Sequence, residues 1–345
     1  MAKAMVGVDI GYDSLKLALV SGDRVKKSAV VPMPQNLLRE GRPTSPEGLG
    51  EVLRSALKQA GISCKSGALA LPNDTVYIRN VTMPRVSADK LTVNLPYEFR
   101  DYITDELKDY VFDYAMITTE EQLKAPPAPL DENAPEVDDE LAGNSMELMA
   151  VAAPVSLIEE YREGFRKAGL KLEKAAPTVS CYQGLIRQLG LEERDREFCI
   201  LDLGYQAIRM YMFRGDTHIV TRVLEVGLSA IDQVIAEAES VDVHLAHTYL
   251  LTNHDNCQNA EHCISTYNNI AVELMRALNF YRFSNPDSQL DQIFLCGGGA
   301  LIAPLREIIS QTLDMRIRPA EDLVVGGAQM ADCNALVQAV GITLE

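Results

Sequence analysis

No apolar run in this 345-residue chain is long enough to cross a bilayer, and its first residues, MAKAMVGVDI, lack the apolar core and cleavage site of a secretory signal. The expected location is the cytoplasm. Positive charge is scarce as well. Thirty-two Lys and Arg stand against 49 Asp and Glu, and a net charge of −17 repels nucleic acid and anionic lipid alike. Neither nucleic-acid binding nor direct membrane insertion is expected, so contact with a membrane needs an intermediary. The seven cysteines are odd in number and form no C-x-x-C pair, which argues against a disulfide framework and suits a reducing compartment. Four of the five histidines, His244, His247, His254 and His262, cluster with Cys257 and Cys263. Their spacing matches no zinc signature; LTNHDNCQNAEHC is rich in Asn and Asp and reads as a polar loop, with a zinc site as the alternative.

What the chain does have is a long-range repeat. VGVDIGYDSLKLALVSGD (6–23) aligns without a gap with LDLGYQAIRMYMFRGD (201–216), pairing Asp9 with Asp202, Gly11 with Gly204, Tyr12 with Tyr205, Lys16 with Arg209 and Gly22 with Gly215. Each copy reads as an apolar strand, a tight glycine turn and a second strand. Repeats this far apart imply two similar halves rather than a solenoid. Two such turns facing one cleft make an anion site. Backbone N–H groups of Gly11, Tyr12, Asp13 and Ser14 on one side, and of Gly204, Tyr205 and Gln206 on the other, would grip a polyphosphate. Asp9 and Asp202 would hold Mg²⁺ mostly through its water shell, and Lys16 would place a point charge on the phosphates.

Downstream, QIFLCGGGALIAPLREIISQTL (292–313) is an apolar strand, three glycines and an amphipathic helix. Gly297, Gly298 and Gly299, followed by Leu301, let backbone approach a flat base or sugar where any Cβ would intrude. Between the repeats, Ser45-Pro46 predicts a helix start with Gly61 as its stop. Residues 82–171 read as an inserted α/β subdomain: a strand, a Ser87-capped helix split at Pro96, strands at 110–118 and 146–153, and a helix over 156–168. Within it, 123–145 carries four prolines and six acids against one lysine, and reads as a flexible acidic loop. Ser229 is the expected N-cap of a helix in a helical cap region over 228–288. The halves are expected at 1–190 and 191–345.

The three glycine motifs resemble the two phosphate motifs and the adenosine motif of the actin-like ATPase superfamily, which includes actin, sugar kinases, chaperone ATPases and FtsA. The implied fold is α/β: duplicated actin-like (ribonuclease H-like) domains around a nucleotide cleft, with a small inserted subdomain in the first half. The place of the insertion, together with RNVTMPRVSADKL, YEFRDYITDELKDYVFDYAMI, VAAPVSLIEEYREGFRKAGLKLE and VELMRALNFYRF, is similar to the type IV pilus assembly protein PilM family. The resemblance implies ATP and Mg²⁺ as cofactors and sets Glu273 and Arg276 near ribose and base; by spacing alone they are an i, i+3 ion pair. It implies a scaffold of type IV pilus or related type II secretion assembly that binds the cytoplasmic N-terminal tail of a PilN-like inner-membrane protein, with other platform proteins or an assembly ATPase as further partners. The alternative is an ATP-hydrolysing enzyme or an FtsA-like filament. Superfamily hydrolases usually place an acid or amide at Ala176 and Thr or Ser at Ile208, so catalytic residues are unassigned and at most slow turnover is expected.

Overall fold

The computed structural model describes residues 4–34, 36–117, 145–190 and 196–344; residues 123–144 of the acidic stretch lie outside these. The repeat folds as read. Strands β1 (Met5–Ile10), β2 (Ser14–Ser21) and β3 (Arg24–Pro32) form an antiparallel run, and helix α1 (Pro46–Gln59) follows a small hairpin of β4 (Leu38–Arg39) and β5 (Arg42–Pro43). Ser45 caps α1, its hydroxyl accepting from the Gly48 N–H at 3.0 Å, and Gly61 turns the chain out at φ +63°. Strand β6 (Ser66–Leu71) then joins β1 in parallel.

The insertion begins with β7 (Tyr77–Pro84) and α2 (Ala88–Asn94), which passes at Pro96 into a 3₁₀ turn over Leu95–Phe99, because proline cannot donate the next helical bond. Strands β8 (Tyr110–Met116) and β9 (Ser145–Pro154) complete a three-stranded antiparallel sheet in the order β7-β9-β8. Leu91, Leu95, Phe99 and Ile103 pack under that sheet in a core of their own. Helix α3 (Val155–Ala168), read from sequence with the insertion, buries Leu157, Tyr161 and Phe165 in the core of the first sheet. A Cβ on Gly50 of α1 would come within 2.4 Å of Lys167 Cβ, so the two helices meet backbone to backbone.

Strand β10 (Lys171–Pro177) finishes the first sheet and α4 (Thr178–Leu189) leads away from it. The second half repeats the order with β11 (Glu197–Leu203), β12 (Ile208–Arg214) and β13 (Thr217–Leu224), then α5 (Leu228–Glu239), α6 (Val243–Thr252) and α7 (Glu261–Ser284). Strand β14 (Gln292–Cys296), α8 (Ala303–Thr312), β15 (Arg316–Pro319) and α9 (Cys333–Gly341) close the described chain. The two five-stranded sheets run β10-β6-β1-β2-β3 and β15-β14-β11-β12-β13, with matching parallel and antiparallel pairs. Even the irregularity is duplicated: the register shift at Leu19/Val20 recurs at the repeat-equivalent Met212/Phe213.

Two expectations are corrected. The N-cap of α5 is Gly227, not Ser229, because the N–H groups of Leu228 and Ser229 donate to the carbonyls of Gly204 and Tyr205. The stretch LTNHDNCQNAEHC (251–263) is not a polar loop: its first two residues end α6, and a 3₁₀ turn (His254–Asn259) leads into α7. Asn253, Asp255 and Asn256 take the positive φ values that such a tight path needs. Cys257 and Cys263 are buried, and His247 Nδ1 lies 2.9 Å from the buried carboxylate of Asp232. Among the described residues no cluster of three His, Cys, Asp or Glu side chains is arranged to hold a metal.

The halves share a core. Ala18 and Val20 of the first sheet meet Phe198, Tyr211, Phe213 and the α9 residues Val337 and Val340. On β13, burial pushes the His218 imidazole down to about 4. An unfolded histidine near 6.5 binds its proton first, so the native state loses stability as the pH falls from about 6.5 towards 4. His218→Gln should remove that component. Between pH 7 and 4.5 the wild type is expected to lose about 2 kcal/mol more than the variant in chemical denaturation; equal losses would show that His218 does not titrate this way.

Candidate nucleotide site

The register of each hairpin places a carboxylate opposite a cation. Asp9 faces Lys16 across β1 and β2, and Asp202 faces Arg209 across β11 and β12. In the first turn the Gly11 N–H donates to Ser14 O at 2.9 Å, and the Ser14 hydroxyl donates to Asp13 Oδ2 at 3.2 Å. Lys16 Nζ sits 3.4 Å from Asp9 Oδ2, and a Cβ on Gly11 would lie 2.5 Å from that ammonium. The lysine therefore folds over the turn, and a Cβ at Gly11 would push its flexible end aside. In the second turn a Cβ on Gly204 would lie 2.6 Å from Ala207 O.

Both turns line one cavity. Asp9, Gly11, Tyr12, Asp13, Ser14 and Lys16 contribute from the first, Asp202, Gly204, Tyr205 and Gln206 from the second, and Gly297 and Gly298 from the glycine triplet. Gly297 has φ +84°, and a Cβ there would strike Asp202 Oδ1 at 2.4 Å. Gly299 instead packs its backbone on Leu203 and Leu228. Leu301 is exposed, and Glu273 and Arg276 pair with each other at 2.5 Å on the outer face of α7. Neither Gly299, Leu301 nor that ion pair borders the cavity.

Several lining residues were not picked out in the sequence. Thr178 borders the cavity while its hydroxyl donates to Leu71 O at 3.1 Å; Ala176, two residues earlier, lies in register with Ala70 and does not reach the cavity. Asn334 and Gln338 come from α9, and Gln338 Nε2 donates to Asp202 Oδ2 at 2.8 Å and to the Tyr182 hydroxyl at 3.1 Å. Nothing local in ALVQAVGITLE announces this; only tertiary packing carries the helix here. Asn334 in turn reaches Glu321 at 3.3 Å. Arg209 was legible only as the repeat partner of Lys16.

Burial pushes the carboxyls of both Asp9 and Asp202 up, with Lys16 and Arg209 opposing the shift. Burial also works against the Lys16 ammonium, yet Asp9, Asp13 and Asp202 together hold its titration above the ordinary lysine value. Three carboxylates against two cations leave the cavity short of positive charge. Hard carboxylate oxygens, desolvated and turned to one space, suit a hydrated Mg²⁺, with Asp9 and Asp202 as the residues to hold it.

The first turn is also tied outward. The Tyr12 hydroxyl accepts from the Gly41 N–H at 2.8 Å, and the buried Tyr161 hydroxyl of α3 donates to Gly41 O at 2.6 Å. Arg42 beside it pairs with Glu160, also on α3.

The fold is that of known proteins. A PilM–PilN type IV pilus biogenesis complex superposes with a TM-score of 0.79 at 23% identity, covering 98% of this chain and 97% of that one. The ethanolamine utilization protein EutJ of Carboxydothermus hydrogenoformans follows at 0.59 and 14%, covering 100% and 90%. A ROK family glucokinase of Streptomyces griseus, in complex with glucose and AMPPNP, gives 0.51 and 11%, covering 99% and 98%. The family model described as type IV pilus assembly protein PilM matches residues 7–325, and the chain belongs to that family.

Proposed function

We propose that this protein is an ATP- and Mg²⁺-binding scaffold of type IV pilus assembly that takes up the extended N-terminal tail of a PilN-like inner-membrane protein. The observation that carries the nucleotide part is the meeting of both glycine turns, with Asp9, Lys16 and Asp202, in one cavity. A fold neighbour holds AMPPNP, which accords with that assignment. Binding should require the divalent cation, because the lining carboxylates otherwise repel a polyphosphate. Turnover should be slow: Ile208 is buried and apolar, Ala176 lies off the cavity, and the Thr178 hydroxyl is engaged with a backbone carbonyl.

For the tail, the neighbour solved as a PilM–PilN complex supplies the partner class. A groove runs between β8, the outer strand of the inserted sheet, and β10, the outer strand of the first sheet, with Ile158 and Arg162 of α3 along one wall. Outer strands offer unpaired backbone N–H and C=O groups to an extended peptide, and Val111, Val151 and Leu172 offer apolar contacts. Calorimetry with ATP, with and without Mg²⁺, beside a phosphate-release assay, tests the nucleotide part; efficient hydrolysis by the isolated protein would favour the enzyme alternative. Val111 is 47% exposed in the groove, so Val111→Asp is expected to weaken a labelled PilN-tail peptide by roughly tenfold or more without changing ATP affinity. Unchanged peptide affinity would place the tail elsewhere.

A further inference from the structure

Arg209 does not point where Lys16 does. Although it holds the same register opposite its aspartate, its Nη2 donates to Asp74 Oδ2 at 3.0 Å. Asp74 lies in the 3₁₀ turn Asn73–Thr75 that follows β6, in the first half, so the bond crosses from one half to the other. The guanidinium stays mostly buried, at 17% exposure, while the Asp74 carboxylate is 50% exposed. Arg209 borders the nucleotide cavity on one side and, on the other, a second cleft between β7 and β13 that Asp74 also lines. Its Nη1 would lie 3.9 Å from a Cβ on Gly204, so the other arm of the fork lies against the second glycine turn.

A planar fork of this kind binds phosphate as readily as carboxylate, and phosphate carries more charge. Lys16 covers the first turn and Arg209 the second. A single phosphate can satisfy one turn, whereas a chain of two or more adjacent phosphates spans both. Resting on the nucleotide reading above, we propose that Arg209 is the phosphate ligand of the second half and that Asp74 is its resident competitor: a polyphosphate draws the guanidinium away from the carboxylate. The apparent affinity for the polyphosphate is then lowered by the fraction of time that Asp74 holds the arginine. Asp74 thus sets how much nucleotide is needed to close the site, and the bond between the halves is exchanged for one between ligand and protein.

The signs of two substitutions separate this exchange from a plain structural tie. Calorimetry is run with Mg-ATP and with inorganic tripolyphosphate plus Mg²⁺, on wild type, Asp74→Asn, Arg209→Gln and the double variant, each checked for an unchanged melting transition. The exchange predicts that Arg209→Gln weakens both ligands by roughly tenfold or more, as expected for a lost charge-assisted fork. Asp74→Asn should tighten both by roughly threefold, and should do nothing once Arg209 is gone. A structural tie predicts that both single variants weaken binding. That result, or an Asp74→Asn gain that persists without Arg209, overturns the proposal while leaving the nucleotide assignment intact. Failure of the wild type to bind either ligand overturns both. If Arg209→Gln fails to melt normally, Arg209→Lys, which keeps the charge and loses the fork, must still weaken tripolyphosphate for the proposal to stand.

Discussion

Asp9→Ala is expected to weaken Mg-ATP by roughly a hundredfold or more, and Lys16→Ala by a similar amount, for different reasons. The two side chains are only 14% and 13% exposed and lie 3.4 Å apart, so each would meet the ligand or its metal in a largely desolvated space. Each variant loses its own contact with the metal or the phosphates, and a charged contact in such surroundings is worth about 1.5–3 kcal/mol. Without Asp9 the metal loses one of its two carboxylate anchors, so residual binding should depend only weakly on Mg²⁺. Without Lys16 three carboxylates remain, and the residual binding should depend on Mg²⁺ more steeply than in wild type. Titrations at several Mg²⁺ concentrations distinguish the two cases. Glu237→Ala, exposed on α5, is the control and should leave binding unchanged. Near-wild-type affinity in Asp9→Ala would remove the first hairpin from the site.

Gly7→Ala is expected to be the most damaging small change in stability. A Cβ at this position would stand 1.7 Å from the Ala339 carbonyl oxygen and 2.8 Å from Thr343 Cγ2. The obstacle on one side is backbone, so β1 and α9 must separate. Overpacking of this kind costs about 3 kcal/mol or more. Gly22→Ala is the useful comparison. Its φ of +66° strains an alanine, but nothing lies within 4 Å, so about 1 kcal/mol is expected. Chemical denaturation of both variants checks the ranking. Should Gly7→Ala unfold within about a kcal/mol of wild type, the contact between β1 and α9 is looser than the structure has it.

What the sequence revealed was mostly local or duplicated. Alternating apolar residues and the repeat located β1, β2, β11 and β12, and the matching glycines predict two turns facing one cleft, which both turns line. Ser45-Pro46 and Gly61, at φ +63°, marked helix ends because capping is decided by a few neighbouring residues. Ser229 misled for the opposite reason. Serine is the better cap by preference, but the second glycine turn supplies its own carbonyls to the start of α5. Gln338 and Asn334 were invisible because their chemistry depends on a helix brought in from the far end of the described chain. Glu321, in the turn that follows β15, is joined to the cavity through Asn334. Glu273 and Arg276 show the converse, a motif whose side chains satisfy each other on the surface.

The tyrosine pair around Gly41 has one more consequence. Tyr12 belongs to the first glycine turn, Tyr161 to the helix whose Ile158 and Arg162 wall the peptide groove, and both hydroxyls bond the same glycine. A single residue thus stands as the linking unit between the proposed nucleotide and the proposed tail. If ATP shifts that unit, the effect on tail affinity has a thermodynamic mirror: the tail must change ATP affinity by the same factor. A scaffold built this way has no fixed input and output. Partner supply would govern nucleotide occupancy as strictly as nucleotide supply governs the partner. Tyr161→Phe, which removes the hydroxyl and keeps the ring, is the change that would uncouple the two without emptying either site.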